Sequence, residues 1–165
     1  MIITGSLVTY HNDINDLKNV INSFLNTNLN IHLFISDNSD EDSIKNLCSD
    51  SRITYIHNKS NIGFGAGHNV AIRLAQKMNS RYHVALNPDI YFEAGTLEKG
   101  VDFLERKMEI GLMMPKIMYP NGELQYVCKL LPNPFNLFSR AFLPKWDWVG
   151  KINDKFEMKF TGYKE

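Results

Sequence analysis

Short apolar runs alternate with polar turns along the first part of the chain. Four runs that are rich in β-branched and aromatic residues predict strands at residues 6–10, 31–35, 53–56 and 82–86. Each run stops on polar or glycine-rich residues, as a buried strand does where it leaves a sheet. Shorter strand-like runs at residues 111–114 and 116–119 precede a turn at 120–123.

Between these runs, apolar residues recur at spacings of three and four, which indicates amphipathic helices. Helices are predicted at residues 14–25, 66–78 and 96–108, and the polar residues 36–42 can cap a further helix that continues to Cys48. Because strands and helices alternate with short connections, the sequence predicts an α/β fold. In such a fold a mostly parallel sheet carries helices on both faces.

The alternation is lost from Lys129 onward, where aromatic and basic residues become frequent. We therefore divide the chain into a domain at residues 1–128 and an aromatic-rich segment at 129–165, with one more strand predicted at 156–161. The aromatic, apolar and basic residues that define the segment are Lys129, Phe135, Leu137, Phe138, Arg140, Phe142, Leu143, Lys145, Trp146 and Trp148. They suit contact with a membrane surface or packing against a further part of the protein.

Composition narrows the class of protein. The 165 residues are 44% hydrophobic and 22% charged, which fits a single soluble domain with a core of its own. The 18 basic and 18 acidic residues cancel, so no overall positive field attracts nucleic acid. Cys48 and Cys128 lack paired spacing and indicate reduced thiols. The chain has no apolar run of the ~20 residues that span a bilayer and no basic signal segment, so we expect a cytoplasmic protein.

Two carboxylates follow predicted strands, at the sheet edge where open α/β folds bind ligands. Asp89 comes after the run at 82–86, and Asn87 lies two residues before it. One carboxylate there can hold Mg²⁺ or Mn²⁺ together with a diphosphate; the alternative is a simple turn in which Asp89 caps a helix. Asp37 ends the second strand, where it can accept a hydrogen bond from a pyrimidine base or only cap the residues that follow.

Other polar groups lie at the same predicted edge. Thr9 and Tyr10 end the first strand, where they can contact a base or simply finish a buried strand. The segment NIGFGAGHN at residues 61–69 matches neither the dinucleotide fingerprint nor the Walker loop. Its glycines, Gly63 and Gly65 among them, allow close backbone approach, and a helix that opens there offers N–H groups to an anion. Of the five histidines, His68 alone lies where a ligand would pass.

Four segments in order resemble the inverting nucleotide-sugar glycosyltransferases of family 2, which have the GT-A fold. They are VTYHN at 8–12, ISDNS at 35–39, NIGFGAGHN at 61–69 and LNPD at 86–89. The likeness covers residues 5–128 well and residues 129–144 loosely. The Asn-Pro-Asp sequence together with the glycine loop is similar to bacterial rhamnosyltransferases of cell-surface polysaccharide synthesis.

The resemblance implies a Rossmann-like donor half and a role for each matching residue. Thr9, Tyr10 and Asp37 would hold the base, and Asn87 and Asp89 occupy the metal motif of the family, usually Asp-x-Asp. Asp89 is then the expected ligand for Mg²⁺ or Mn²⁺. The remaining residues expected to contact the nucleotide or its phosphates are Gly63, Gly65, His68 and Asn69.

The resemblance also implies substrates. A hexosyltransferase of this kind moves a sugar, with rhamnose a candidate, from a dTDP- or UDP-linked donor to a glycan or lipid-linked acceptor, with inversion. Such an enzyme is expected in the cytoplasm, including the inner face of the cytoplasmic membrane.

One expected part of the family pattern is missing after Asp89. Family members carry a later Glu-Asp-x-Asp-like motif that supplies the general base, a group worth roughly 10²–10⁴-fold in rate. The later carboxylates Glu123, Asp147, Asp154, Glu157 and Glu165 are scattered. We therefore expect a chain truncated at its C-terminus, with the acceptor half missing and the catalytic residue unknown.

Two rival interpretations stand beside a glycosyltransferase. The first is a nucleotide-sugar-binding protein without transfer activity. The second is a sugar-phosphate nucleotidyltransferase, which needs a glycine-rich, arginine-containing loop after the first strand. The sequence TYHN at residues 9–12 argues against that loop.

Overall fold

A computed structural model describes residues 1–131, 133–134, 137–138, 142 and 147–162, without the side chains of 147–149. The chain forms two compact units, Met1–Gly111 and Leu112–Glu165. This division falls after Gly111, whereas the sequence predicts a domain boundary after residue 128. The roles predicted for the two segments stay predictions.

The first unit is built on a four-stranded parallel sheet with the order β3-β2-β1-β4. Its strands are β1 (Ile3–Thr9), β2 (Ile31–Asp37), β3 (Ile53–His57) and β4 (Tyr82–Leu86). In the register of β1, Thr9 pairs with Asp37 and Leu7 pairs with Leu86. The carboxyl ends of β2, β1 and β4 therefore meet at one edge of the sheet.

Helices cover both faces of this sheet, as the sequence predicts. On one face, α1 (Ile14–Leu25) begins after Asp13, whose side chain accepts hydrogen bonds from the backbone N–H groups of Asn15 and Asp16. Its apolar side packs onto the sheet with α3 (Thr96–Arg106). On the other face, Ala71 and Ala75 of α2 (Phe64–Lys77) pack against Phe34.

Two helix predictions need correction. The segment after β2 forms only a single 3-10 turn, Lys45–Cys48, in which no residue is buried, so little packing is available to stabilise a longer helix. The helix predicted from residue 66 begins at Phe64, after Gly63 with φ +89°. Gly65 and Gly67 therefore belong to α2 rather than to a loop.

The second unit contains little regular structure among the described residues. Strands β5 (Ile117–Met118) and β6 (Leu124–Gln125) pair antiparallel with each other, and α4 (Asp147–Phe156) is followed by a 3-10 turn, Lys159–Thr161. The strand predicted at 156–161 is therefore wrong, because these residues end a helix and continue as a 3-10 turn.

The strand predicted at 111–114 is also wrong. Leu112 is 89% exposed and Met114 is exposed as well, so the run has no buried face that would favour a strand. Residues of the aromatic segment that lie outside the described residues are Phe135, Arg140, Leu143, Lys145 and Trp146. No described helix is both long and apolar enough to cross a bilayer.

Candidate functional site

Asp37 ends β2 as a fully buried carboxylate with three hydrogen-bond donors. Its Oδ1 accepts from Thr9 Oγ1 at 3.1 Å and from the backbone N–H of Ser39 at 3.0 Å, and its Oδ2 accepts from the Tyr55 hydroxyl at 2.7 Å. Burial raises the pKa of Asp37, but the donors from Ser39, Tyr55 and Thr9 outweigh it and the pKa is lowered. The carboxyl group is therefore ionised at neutral pH.

This arrangement limits what Asp37 can still bind. Oδ1 already has two donors, whereas Oδ2 has one and keeps a lone pair for another. The bond from Ser39 shows that Asp37 caps the turn after β2, the alternative that its sequence left open. Its role toward a base stays a prediction, and that role needs access to Oδ2. The sequence gives no signal for Tyr55, because a tyrosine within a strand is ordinary.

Thr9 and Tyr10 have different surroundings. Thr9 is buried and its hydroxyl is committed to Asp37. Tyr10 is 51% exposed, and its ring lies 4.5 Å from the ring of His11, which has φ +49°. The backbone N–H of His11 donates to Ser39 Oγ at 3.1 Å. The edge thus presents an open aromatic surface at Tyr10, while Thr9 holds the buried carboxylate.

The glycine loop is tied to the end of β2. Asn38 Nδ2 donates to the Gly63 carbonyl at 3.3 Å, and Asn58 Nδ2 donates to Asn38 Oδ1 at 2.9 Å. At the start of α2 no described side chain caps the helix, and a Cβ at Gly65 would meet nothing within 4 Å. The first turn of α2 therefore leaves room for a ligand to approach its backbone. The sequence gives no signal for the bracing by Asn38 and Asn58, because their partners are distant along the chain.

Deeper in α2, two neighbouring residues are buried. A Cβ at Gly67 would lie 2.8 Å from Val8 Cγ1, so this glycine lets α2 approach the sheet. His68 is 6% exposed, its Nδ1 lies 2.7 Å from Ser6 Oγ, and burial lowers its pKa. Its Nε2 is buried without a described hydrogen-bond partner. Asn69, the next residue, is exposed on α2.

Asn87 and Asp89 are exposed in the turn that follows β4. No described hydrogen bond or ion pair involves either side chain. The alternative that Asp89 caps a helix is wrong, because α3 begins later, at Thr96, with Gly95 as its N-cap. Within the described residues, no group of three or more His, Cys, Asp or Glu side chains forms a metal site.

This donor set fits a cation that is held mainly by its ligand. Mg²⁺ commonly uses one or two protein carboxylates, and phosphate oxygens and water complete its shell. Asp89 can supply the carboxylate and Asn87 an amide oxygen. The protein alone therefore offers too few oxygens for tight cation binding.

The later carboxylates that the structure describes have close partners in the second unit. Glu157 bonds Lys129 at 3.0 Å, Asp154 bonds Lys159 at 2.8 Å, and Glu123 accepts from Asn121. The side chains of Asp147 and Glu165 lie outside the described residues.

A separate groove of about 650 Å³ is lined by residues of α1, by Asp50 and Arg52, and by Tyr91 and Phe92. Because Arg52 directly precedes β3, this groove lies toward the amino edge of the sheet. Arg52 is committed to Asp50 through two nitrogens, at 3.1 and 2.9 Å. Neither Asp37 nor Asp89 lines this groove.

Comparisons with known proteins agree with this architecture. Two structures of TarS from S. aureus, one of them TarS 1-349, match with a TM-score of 0.56 and 16% and 17% identity. The match covers 73% of this chain but only 24% and 40% of the TarS chains, so this chain spans less than half of either. At this identity the likeness concerns the fold alone. No curated protein matches the chain. The family model described as glycosyl transferase family 2 matches residues 7–155. Since that match covers most of its residues, the chain belongs to glycosyl transferase family 2.

Proposed function

We propose that this chain binds a nucleoside-diphosphate sugar at the carboxyl edge of its sheet and transfers the sugar to a glycan or lipid-linked acceptor, with inversion. One observation carries the proposal. Thr9, Asp37 and the Asn87–Asp89 turn come from three adjacent parallel strands and meet at the same edge. That edge is where open α/β sheets bind their ligands.

Each group at this edge has a proposed role. The exposed ring of Tyr10 stacks on the base, while the remaining lone pair of Asp37 accepts from the base and Thr9 fixes the carboxylate. Gly63, Gly65, His68 and Asn69 then line the path of the ribose, the diphosphate and the sugar. Asp89, with Asn87, holds Mg²⁺ or Mn²⁺. When bound, the cation supplies positive charge that stabilises the departing nucleoside diphosphate.

The finer substrate assignment depends on the sequence likeness. We propose a dTDP- or UDP-linked donor, with dTDP-rhamnose as the first candidate, and a place in cell-surface polysaccharide synthesis. A thermal-shift panel of nucleoside diphosphates and nucleotide sugars, with and without Mn²⁺, tests the donor. A melting temperature raised most by dTDP-rhamnose supports the assignment, and a larger rise with another nucleotide sugar replaces it.

Substitution of Asp89 tests the site itself. We expect Asp89→Ala to abolish the part of UDP or dTDP binding that depends on Mg²⁺ or Mn²⁺, because the variant removes the only carboxylate of the proposed cation site. Isothermal titration calorimetry with and without the cation measures it. Glu93→Ala is the matched control, since Glu93 is another exposed carboxylate in the same loop. Metal-dependent binding that survives in Asp89→Ala removes Asp89 from the site.

A second candidate function is nucleotide-sugar binding without transfer. The observation that favours it is the pairing of Asp154 and Glu157 with lysines, since a carboxylate committed to an ion pair is a weaker base. Both candidates predict metal-dependent nucleotide binding. Release of the nucleoside diphosphate from a donor sugar in the presence of acceptor extract distinguishes them, because only a transferase gives it.

We further propose that the aromatic segment contacts the inner face of the cytoplasmic membrane, where a lipid-linked acceptor would lie. Among its described residues, Leu131, Leu137, Phe138 and Phe142 are all exposed, and the rings of Phe138 and Phe142 lie 4.7 Å apart. Such a surface can bury apolar area at a lipid headgroup boundary. Packing against a further part of the protein is the competing explanation.

A further inference from the structure

A continuous series of hydrogen-bonded polar side chains, partly buried at one end and buried at the other, runs between β1, β4 and α2. It begins at Ser80, whose hydroxyl lies 2.7 Å from the Tyr82 carbonyl. Thr4 Oγ1 lies 2.9 Å from Ser80 Oγ and 2.7 Å from His83 Nδ1. On the other side of the His83 ring, Nε2 lies 2.8 Å from Ser6 Oγ. Ser6 Oγ is also 2.7 Å from Nδ1 of His68.

The direction of these hydrogen bonds is fixed from one end. A carbonyl oxygen can only accept, so the Ser80 hydroxyl proton is committed to Tyr82. The contact between Thr4 and Ser80 must then use the proton of Thr4. Thr4 Oγ1 can therefore only accept from His83, which places the ring proton of His83 on Nδ1.

His68 continues the same alternation of donors and acceptors. Burial lowers the pKa of His68, and burial together with the nearby His68 lowers the pKa of His83 to about 4, so both rings are neutral at pH 7. A neutral His83 with its proton on Nδ1 must accept at Nε2, which uses the proton of Ser6. Ser6 Oγ then accepts from His68, whose single ring proton lies on Nδ1. Nε2 of His68 is left as a bare lone pair.

That lone pair is buried and has no partner among the described residues. A buried acceptor without a donor is unfavourable, so this end of the hydrogen-bonded series needs a donor that the described residues do not supply. The ring of Phe64, one helical turn earlier at the start of α2, lies 4.4 Å from the His68 ring in an edge-to-face contact. Phe64 is 56% exposed, so its side chain has room to move away from the histidine.

We propose that His68 Nε2 accepts a hydrogen bond from a hydroxyl group of the bound nucleotide sugar, with the Phe64 ring turning aside to admit it. The inference rests on the proposed function and adds to it the atom, its protonation state and the class of ligand group. A bare lone pair cannot bond a phosphate oxygen, which also only accepts, whereas ribose and sugar hydroxyls can both donate. Ser6, His83, Thr4 and Ser80 act as positioning residues that hold His68 in its acceptor form.

Nitrogen-15 NMR of the imidazole rings tests both steps on the intact chain. In the free protein we expect His68 and His83 to carry their ring proton on Nδ1. Addition of UDP-glucose with Mg²⁺ should shift the Nε2 resonance of His68 toward that of a hydrogen-bonded nitrogen. A shift with UDP assigns the donating hydroxyl to the ribose. If dTDP, which lacks the 2′-hydroxyl, gives no such shift, the donor is the 2′-hydroxyl. A shift with UDP-glucose but not with UDP assigns the donor to the sugar.

Calorimetry on the same samples distinguishes a failure of the proposed function from a failure of the inference about His68. Absence of nucleotide binding overturns the proposed function and this inference with it. Binding that leaves the Nε2 resonance of His68 unchanged overturns this inference alone. A proton on Nε2 of His68 in the free protein, or a hydrogen-bonded Nε2 resonance before any nucleotide is added, also overturns it.

Substitution of His83 tests the positioning role. His83→Phe removes the acceptor of the Ser6 proton, so Ser6 can donate to His68 and move the ring proton of His68 to Nε2. We expect that tautomer change, together with nucleotide-sugar affinity weakened about two- to tenfold. His32→Phe is the control. His32 also lies on the sheet, but its Nε2 is 2.8 Å from Thr54 Oγ1, outside the series of hydrogen bonds that leads to His68.

Ser6→Ala provides a second route if His83→Phe does not fold. It breaks the link between the two histidines with a small change and should leave His68 in a mixture of tautomers. An unchanged tautomer of His68 in whichever of these variants folds contradicts the positioning role.

Discussion

Asp37 is charged and fully buried, and its three donors compensate for the lost hydration. Tyr55 supplies one of these donors, and burial and the bond to Asp37 both raise the pKa of that tyrosine. The pair therefore keeps the carboxylate ionised and the phenol protonated. Such pre-organisation favours the binding of a ligand, because the carboxylate does not have to be reoriented.

Removal of the Tyr55 hydroxyl should expose this dependence. We expect Tyr55→Phe to lower the free energy of unfolding by about 1–3 kcal/mol, because a buried carboxylate loses one of its donors. It should also bring the pKa of Asp37 back up, so that stability is lost at a higher pH during acidification. Urea denaturation at several pH values measures both effects.

Tyr82→Phe is the matched control, since its hydroxyl donates to Glu105 at 2.8 Å near the protein surface. We expect that change to cost less than about 1 kcal/mol. Equal costs for the two variants would show that the buried bond has no special weight.

The histidine pair predicts a second pH effect. The pKa of His83 is about 4 in the folded chain and 6.5 for the free side chain. Between these values the unfolded state binds a proton that the folded state does not, so stability rises with pH across the window and is constant above it. The full change amounts to about 3 kcal/mol.

Urea denaturation at pH 4.5 and 7 measures this change in the wild type and in His83→Gln. We expect a smaller difference between the two pH values in the variant, with the remainder due to His68 and His32, whose pKa values burial also lowers. An identical pH dependence in both proteins contradicts the assignment to His83.

At the scale of elements, the start of α2 connects packing to ligand access. Gly63 has φ +89°, which permits the turn into the helix. Gly67 faces Val8 on the sheet, whereas Gly65, two residues earlier, faces open space. Gly65 and Gly67 therefore serve different purposes within one helix, and a pair of alanine substitutions separates them.

We expect Gly67→Ala to lower the free energy of unfolding by about 1–3 kcal/mol, because its Cβ would lie 2.8 Å from Val8 Cγ1. Gly65→Ala should instead be neutral or raise it by up to about 1 kcal/mol, because alanine favours a helix. Urea denaturation measures both. If a phosphate approaches the backbone at Gly65, that variant should also bind UDP more weakly although it is no less stable. Destabilisation of the same size in both variants would contradict the distinction.

At the scale of the whole molecule, the second unit raises the question of what its exposed apolar side chains contact. We expect the chain to co-sediment with vesicles that contain anionic lipid, and the variant Phe138→Ser with Phe142→Ser to bind them less. Phe160→Ser is the control, because Phe160 is an equally exposed aromatic residue outside the defining set of the segment. Absence of sedimentation by the wild type removes the membrane proposal and favours packing against a protein surface.

The sequence by itself determined the periodic elements of the first unit. Strand and helix spacings identified β1 to β4 and the helices between them, because local hydrophobic patterns depend on the buried face of each element. Ends of elements were less certain, as at α2, where φ of Gly63 moves the helix start. Apolar runs alone predicted strands at 111–114 and 156–161, and neither strand forms: the first run has no buried face, and the second ends a helix and continues as a 3-10 turn.

The polar site residues show the same difference between what the sequence determines and what the tertiary structure decides. Spacing placed Thr9, Asp37 and Asp89 at strand ends, and parallel pairing brought those ends to one edge. The spacing could not show that Tyr55 bonds Asp37, or that His83 bonds Ser6 and Ser6 bonds His68. Those contacts join residues that are distant in the sequence, so only the tertiary structure decided them. The sequence therefore determined which side chains lie at the edge, whereas packing determined which of them are buried, charged or left with a free lone pair.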